Sequence, residues 1–452
     1  MTDLTTDNIY KKFLLFGLPM VFTGLLSQAY TIVDTMIAGR YLGDTGLAAV
    51  GATAQVIQLL CAFFWGFDSG FGVYIACLYG SREYSKLRKD IYNIVITISV
   101  IEVLLSCIMV LFSEGVLNLV NVDSEIRREA KIYFLIYVSG LAFIVLNNTF
   151  SRVMNAMGIS AFPFFMSIIV GILNIAGNII SVTVLDIGVA GIALSSVLSA
   201  TIVDVFYIFK IKSCFKAMNI SGEKVKLDFK VFLSLLKFSL PSCLQQMSMY
   251  LASATMAPII NAIGSEATAG YSLSLRVYDI NATVYQNSAN TVSNYGAQCA
   301  GAKKYEKIKK GLFAGFIQGV AFVTPFVIAS SVFAREVNGF FFPNGFSGLS
   351  LEYAIMFSRF YLPFILFNLV NNLFHSFFRG IGAMRLLLLS SVIGSVFRII
   401  SGVLLGGIYG LQGVYVGWVI SWIGEALFML VVYLLKFRNT EMIKRAAEKN
   451  LG

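Results

Sequence analysis

Gly80-Ser81-Arg82-Glu83-Tyr84-Ser85-Lys86-Leu87-Arg88-Lys89 returns later in the chain as Gly301-Ala302-Lys303-Lys304-Tyr305-Glu306-Lys307-Ile308-Lys309-Lys310, without a gap and at an offset of 221 residues. Two further echoes keep the same order. Phe16-Gly17-Leu18-Pro19 is matched by Phe238-Ser239-Leu240-Pro241 at an offset of 222. Asn147-Asn148, ten residues before Gly158, is matched by Asn371-Asn372, ten before Gly382, at 224. Three matches in order at a nearly constant offset make the chain two copies of one design.

Composition identifies what is duplicated. Of 452 residues, 57% are hydrophobic and 13% charged, with a mean hydropathy of +0.78. Soluble globular chains carry about 45–50% apolar and about 25% charged residues, so water-soluble domains are excluded. Apolar runs fall at about 13–38, 50–79, 91–113, 132–154, 161–184 and 189–210. A second set falls at about 232–260, 267–299, 311–333, 353–378, 384–406 and 411–436. A membrane helix needs roughly 20 apolar residues, so each run reads as one span. The strands of a membrane barrel would be shorter and would alternate. The expected fold is therefore an all-α integral membrane protein: twelve transmembrane helices in two pseudo-symmetric six-helix bundles.

Between the sets lies the most polar stretch, with Lys212, Lys216, Glu223, Lys224, Lys226 and Asp228. The expected division is an N-lobe at 1–210, a cytoplasmic linker at 211–231, a C-lobe at 232–436 and a cytoplasmic tail at 437–452. The net charge of +10 is explained by the positive-inside bias rather than by nucleic-acid binding. Lys and Arg crowd the connections after spans 2, 6 and 8 and the tail, which puts both termini in the cytoplasm of a multi-pass cell-membrane protein. The first apolar run, preceded by Lys11 and Lys12, reads as a retained helix rather than a signal peptide. Each repeat has an even number of spans, so both enter the membrane in the same sense. Transporters built from such parallel repeats rock one half against the other to open a cavity to each side in turn. The six scattered cysteines suit neither a zinc site nor a disulfide framework.

Asp34, in Tyr30-Thr31-Ile32-Val33-Asp34-Thr35, is the sharpest chemical feature, and its repeat equivalent is the neutral Met256. A carboxylate inside a span costs a few kcal/mol on insertion scales, and such residues usually mark an ion or substrate path. The competing reading is an anion capped by nearby hydroxyls or amides.

Leu18-Pro19, Val33-Asp34-Thr35, Gly39, Leu42-Gly43 and Leu47-Ala48-Ala49-Val50-Gly51 together resemble the first-helix signature of the multidrug and toxic compound extrusion (MATE) family. Gly80 with its basic run, and Gly296-Ala297-Gln298 followed by Gly301-Ala302, resemble the family's cytoplasmic loops. The resemblance covers essentially the whole chain. It implies a V-shaped secondary antiporter that exports amphipathic, often cationic compounds against protons or sodium. In the branch coupled through the N-lobe, the acidic residue of the first helix matches Asp34, the Asn of helix 5 matches Asn174, and a hydroxyl of helix 6 matches Ser196. A polar position of helix 4 falls at about Ser151, with Asn148 one turn earlier. Where that branch often has a second Asp, this chain has Asn178, on the same helix face as Asn174. With one carboxylate instead of two, the case for sodium is weaker. For each of these amides and hydroxyls, plain interhelical hydrogen bonding is the alternative. The Gln245-Gln246-Met247-Ser248-Met249 region is uncharged, so coupling through the C-lobe alone is not expected.

Other charges inside spans are secondary candidates. Asp68 lies in Gly66-Phe67-Asp68-Ser69-Gly70, either binding a cationic substrate or bonding nearby backbone. Arg276 and Asp279 are expected to pair three residues apart, with Arg398 joining a structural cluster. Asp204 and Glu102 lack an evident repeat partner, and the lone His375 reads as a packed polar residue beside Asn371 and Asn372. No cofactor or resident metal is expected; sodium, if it is the coupling ion, would sit near Asp34. The expected partners are small amphipathic molecules and the lipid bilayer, with no nucleic acid, and the chain is expected to act as a monomer. A lipid-linked saccharide flippase of the same superfamily is the first rival, disfavoured because few arginines, mainly Arg152, Arg276 and Arg398, lie within spans. An intramembrane enzyme is the second, disfavoured by the absence of any HExxH or phosphate-cradling motif.

Overall fold

The computed structural model describes residues 4–6, 8–220, 227–340 and 348–451, and no strand occurs among them. The middle of the expected linker, 221–226, lies outside the described residues. The first half of the chain forms α1 (Ile9–Gly80), α2 (Tyr84–Leu111), α3 (Ser113–Leu119), α4 (Arg127–Ser139), α5 (Leu141–Ala156), α6 (Ala161–Thr183) and α7 (Gly188–Ala217). The second half begins with α8 (Phe229–Ala254), α9 (Ala257–Ile263), α10 (Ser265–Gly301), α11 (Tyr305–Val332) and α12 (Ala334–Phe340). It continues with α13 (Gly348–Met356), α14 (Ile365–Gly380), α15 (Met384–Tyr409), α16 (Leu411–Lys436) and α17 (Thr440–Leu451).

All twelve expected spans fall on helix. Eight helices among the described residues are long and apolar enough to cross a membrane, nine if α4 and α5, bent by 46°, count as one. The long α1 holds the first two spans, joined at Gly43, whose φ of 67° and ψ of −164° break the helix at one residue. Glycine adopts that positive φ without the clash a Cβ would bring. Spans seven and eight are α8 and α10; the latter is threaded with Ser, Thr, Asn and Gln.

The repeat is written in the backbone as well. Arg82 and Lys303, matched in sequence, both take left-handed φ, at 62° and 57°. Each closes the same turn: Glu83 N donates to Leu78 O at 3.2 Å, and Lys304 N to Cys299 O at 2.8 Å. Gly158 and Gly382 (φ 77° and 70°) and Gly188 and Gly410 (φ 58° and 61°) pair in the same way.

Two compact units result. The first is Phe22–Ser239, and the second joins Asp3–Val21 to Leu240–Gly452. The start of α1 thus packs in the second unit and the start of α8 in the first. In the first unit, Ser239 Oγ donates to Phe67 O at 3.1 Å and Phe238 lies 5.8 Å from Tyr74, ring centre to ring centre. In the second, Gln318 Nε2 donates to Phe13 O at 2.9 Å and Phe13 meets Tyr295 edge-on at 5.1 Å. Tyr74 and Tyr295 are themselves repeat equivalents. Pro19 lies inside α1 and Pro241 inside α8, and both helices run on through them. Each lies within a few residues of the exchange, where its missing N–H removes one backbone bond.

Small residues set the packing within the second unit. A Cβ on Gly417 of α16 would come 2.8 Å from Gly402 Cα of α15, so only glycine lets these helices meet. Without a hydrophobic drive in lipid, such close backbone approach supplies the van der Waals contact that holds membrane helices together.

Candidate functional site

Four of the six primary candidates gather in the first unit. Asn174 and Asn178 stand one turn apart on α6 and are almost wholly buried, at 1% and 0% exposure. Asn178 Nδ2 donates to Asp34 Oδ1 at 2.5 Å and to Asn174 Oδ1 at 3.4 Å. Asn174 Nδ2 in turn donates to Ser196 Oγ on α7 at 3.1 Å. Ser196 anchors the row by donating to Ile192 O at 3.2 Å. The row therefore runs from one carboxylate through two amides to a hydroxyl, across α1, α6 and α7.

Two properties of this row bear on chemistry. Among the described residues, no Lys, Arg or His lies within ion-pair distance of Asp34. Asn178 Oδ1 is buried and accepts no hydrogen bond from any described residue. A buried acceptor beside a carboxylate is an expensive arrangement unless something else uses it. The oxygens of Asp34, Asn174, Asn178 and Ser196 are also the kind that bind hard monovalent cations.

Asn148 and Ser151 do not join them. Asn148 turns to an uncovered face of α5 and donates to Ile144 O of its own helix at 3.1 Å. Ser151 is bonded to Tyr207 of α7. Both positions lie on α5, and neither is bonded to any of the four. Conversely, sequence reasoning missed the tyrosines near Asp34. Tyr30 sits one turn before it, and Tyr133 and Tyr137 of α4, 5.8 Å apart ring to ring, lie within its electrostatic reach. The spacing of Tyr30 and Asp34 on one helix face was the available signal.

The secondary candidates separate. Asp68 accepts from Thr149 Oγ1 at 2.9 Å, not from backbone, and feels the charge of Arg152. Asp204 accepts from Asn147 Nδ2 at 3.0 Å, and the fully buried Glu102 lies within the field of both acids. The expected Arg276–Asp279 pair does not form: both side chains lie on uncovered parts of α10, and no ion pair among the described residues includes either. Arg398 does not join them; its guanidinium lies 4.5 Å over the Trp418 ring and donates to Ser253 Oγ at 3.1 Å. An open crevice of about 1090 Å³ in the second unit, lined by Phe313, Phe316, Leu373, Phe374 and Tyr433 with Lys310 at its edge, is separate from all these groups.

A duplicated, all-helical fold of long apolar spans defines a multi-pass membrane protein. The MatE family model matches residues 19–180 and 241–404, most of the chain and both repeats, so the chain belongs to that family. It is 23% identical over 343 residues to the probable multidrug resistance protein YoeA of Bacillus subtilis (strain 168), covering 74% of each chain. It is 24% identical over 453 residues to the multidrug export protein MepA of Staphylococcus aureus (strain bovine RF122 / ET3-1), covering 96% of this chain and 95% of that one. Its fold matches the outward-facing conformation of a multidrug resistance MATE family transporter of the MOP superfamily, with a TM-score of 0.88, 20% identity and 97% coverage of both chains.

Proposed function

We propose that this protein is a secondary antiporter that exports amphipathic, cationic organic compounds in exchange for protons or sodium, with Asp34 as the coupling carboxylate. The observation that carries the reading is the amide of Asn178 placed on Asp34 at 2.5 Å with its own oxygen left over. As oriented, the amide N–H steadies an ionised Asp34. Turned by half a rotation, the same amide presents its oxygen to the proton of a neutral Asp34. Asparagine thus serves both protonation states of the acid, which favours protons over sodium as the exchanged ion. The names of YoeA and MepA support a multidrug cargo. The tyrosines flanking Asp34 offer faces that attract organic cations.

In the working cycle, Asp34 takes a proton from outside and loses its attraction for a bound cation, which leaves. The proton is then released to the cytoplasm and new cargo binds. Each 100 mV of membrane potential adds about 2.3 kcal/mol per net charge moved, which is roughly fifty-fold accumulation. The Lys and Arg distribution supports a location in the cytoplasmic membrane with both termini inside, and the proposed unit of transport is the monomer.

The test is efflux of a cationic dye from proteoliposomes, with proton and sodium gradients imposed separately. Asp34→Asn is expected to abolish gradient-driven efflux while leaving yield and thermal unfolding at parent values. Efflux at the parent rate in that variant would overturn the assignment.

A further inference from the structure

The large crevice of the second unit has a charged end and an apolar body. Its walls come from α11, α14, α16 and the start of α1. On α11, Lys309, Phe313 and Phe316 recur at helical spacing, with Lys310 beside the first. A rise of 1.5 Å per residue sets Phe316 roughly 9 Å along the helix from Lys310. Phe374 of α14 and Tyr433 of α16, 5.6 Å apart ring to ring, line the crevice with them. At about 1090 Å³ it exceeds the roughly 300–1,000 Å³ of small-molecule pockets, and it lies open, with Phe313 and Phe316 58% and 42% exposed.

The lysines at its end are positioned but not neutralised. Lys307 Nζ donates to Thr5 O at 2.6 Å and Lys309 Nζ to Arg438 O at 3.3 Å. Carbonyls hold these ammonium groups without cancelling their charge. Among the described residues, none of the three lysines joins an ion pair, and Lys310 has no hydrogen-bond partner.

The repeat shows what fills the matched place. Lys310 corresponds to Lys89, and in the first unit Lys89 Nζ binds Asp228 Oδ2 at 2.7 Å. Asp228 is itself steadied there, its backbone N–H donating to Asn93 Oδ1 at 2.9 Å. At the offsets of 221 and 222 that relate the halves, the second unit has Ala314 for Asn93 and Thr6 for Asp228. Tyr92, matched by Phe313, is covered by Phe215 at 6.1 Å and by Arg88 at 5.8 Å. The first unit thus supplies its own anion and its own apolar cover. At Thr6 and Ala314 the second has no acid and no amide to hold one.

We propose that an anionic phospholipid takes this place in the second unit, its phosphate among Lys307, Lys309 and Lys310 and its acyl chains along Phe313, Phe316 and Phe374. Basic pockets between membrane helices favour such headgroups. The same three charges repel the cationic cargo proposed for Asp34, so the crevice is not a second cargo site. A free phosphate would satisfy the lysines but leave the aromatic wall bare, and burying that wall is what acyl chains add.

The test puts a reporter in the wall. Full-length Phe316→Trp protein is reconstituted in phosphatidylcholine vesicles that contain a minor fraction of lipid with brominated acyl chains, which quench a neighbouring indole. The parent, with Trp65, Trp418 and Trp422, gives the background. Brominated phosphatidylglycerol is expected to quench the introduced indole at a lower mole fraction than brominated phosphatidylcholine. Adding Lys310→Gln is expected to weaken that preference about five-fold, the effect of one basic residue near a headgroup. Lys216→Gln, which removes an exposed lysine at the end of α7, is expected to leave the preference unchanged. Equal quenching by the two lipids, an unchanged preference with Lys310→Gln, or an equal loss with Lys216→Gln overturns the proposal. So does a preference abolished by inorganic phosphate, which would make the site one for the free anion. If Phe316→Trp does not fold, Phe313→Trp on the same wall carries the test with the same outcomes.

Discussion

On the proposed reading, Asn178 decides what Asp34 can exchange. Its amide bonds the carboxylate and reaches Asn174 at the same time. Replacing it by aspartate sets two carboxylates side by side, and two like charges about 4 Å apart repel by about 4 kcal/mol at an effective dielectric near 20. A cation relieves that repulsion. Asn178→Asp is therefore expected to raise sodium-driven dye efflux relative to proton-driven efflux by several-fold, measured in proteoliposomes with each gradient alone. An unchanged ratio would show that the amide does not set the ion. The clustering of Asp34, Asn174, Asn178 and Ser196 was legible because two of them recur at a helical turn and three match the family pattern, Asn178 standing where one branch often has Asp. Tyr133 and Tyr137 were not, because nothing in a run of apolar and aromatic residues says which ring faces a distant helix. Asn148 and Ser151 were assigned by position alone, and their own hydrogen bonds take them elsewhere.

Between spans, the short helix α3 and the start of α4 are tied by charge. Glu114 accepts from Arg127 Nη2 at 2.8 Å and from Lys131 Nζ at 2.5 Å. These two cations hold the Glu114 carboxyl down at about 2, below the ordinary glutamate range. Its contribution to stability is complete above that ordinary range and disappears as pH falls through about 2. The pair is exposed, so the effect is small. Thermal unfolding of the parent and of Glu114→Gln is expected to differ slightly near neutral pH and to converge as the pH falls toward 2, since the variant lacks the titrating group. A difference that persists at low pH would mean packing, not charge, is responsible. At this scale hydropathy located all twelve spans.

For the whole molecule, the duplication was visible in the loops before any helix was placed, and the paired left-handed turns at Arg82 and Lys303 bear it out. The exchange of helix starts was hidden, since hydropathy gives the length of a span but not its neighbours. It makes a specific demand on fragments. A first-half fragment ending at residue 220 lacks Asp228, bonded to Lys89 at 2.7 Å, as well as Phe238 and Ser239. A fragment extended to residue 254 restores them. The longer fragment is expected to resist limited proteolysis and heat better than the shorter one in the same detergent, and equal resistance would show that the exchanged segment adds nothing.

The same exchange orders events during synthesis. The start of α1, up to Val21, is made before the rest of the unit it joins and has no completed bundle to pack in until the later spans are made. The opening helix must therefore wait in the bilayer, its leading turns covered by lipid or by the insertion machinery, while some four hundred later residues are added. A chain stalled anywhere before its end leaves that helix exposed, which gives membrane quality control a feature by which to tell unfinished copies from finished ones.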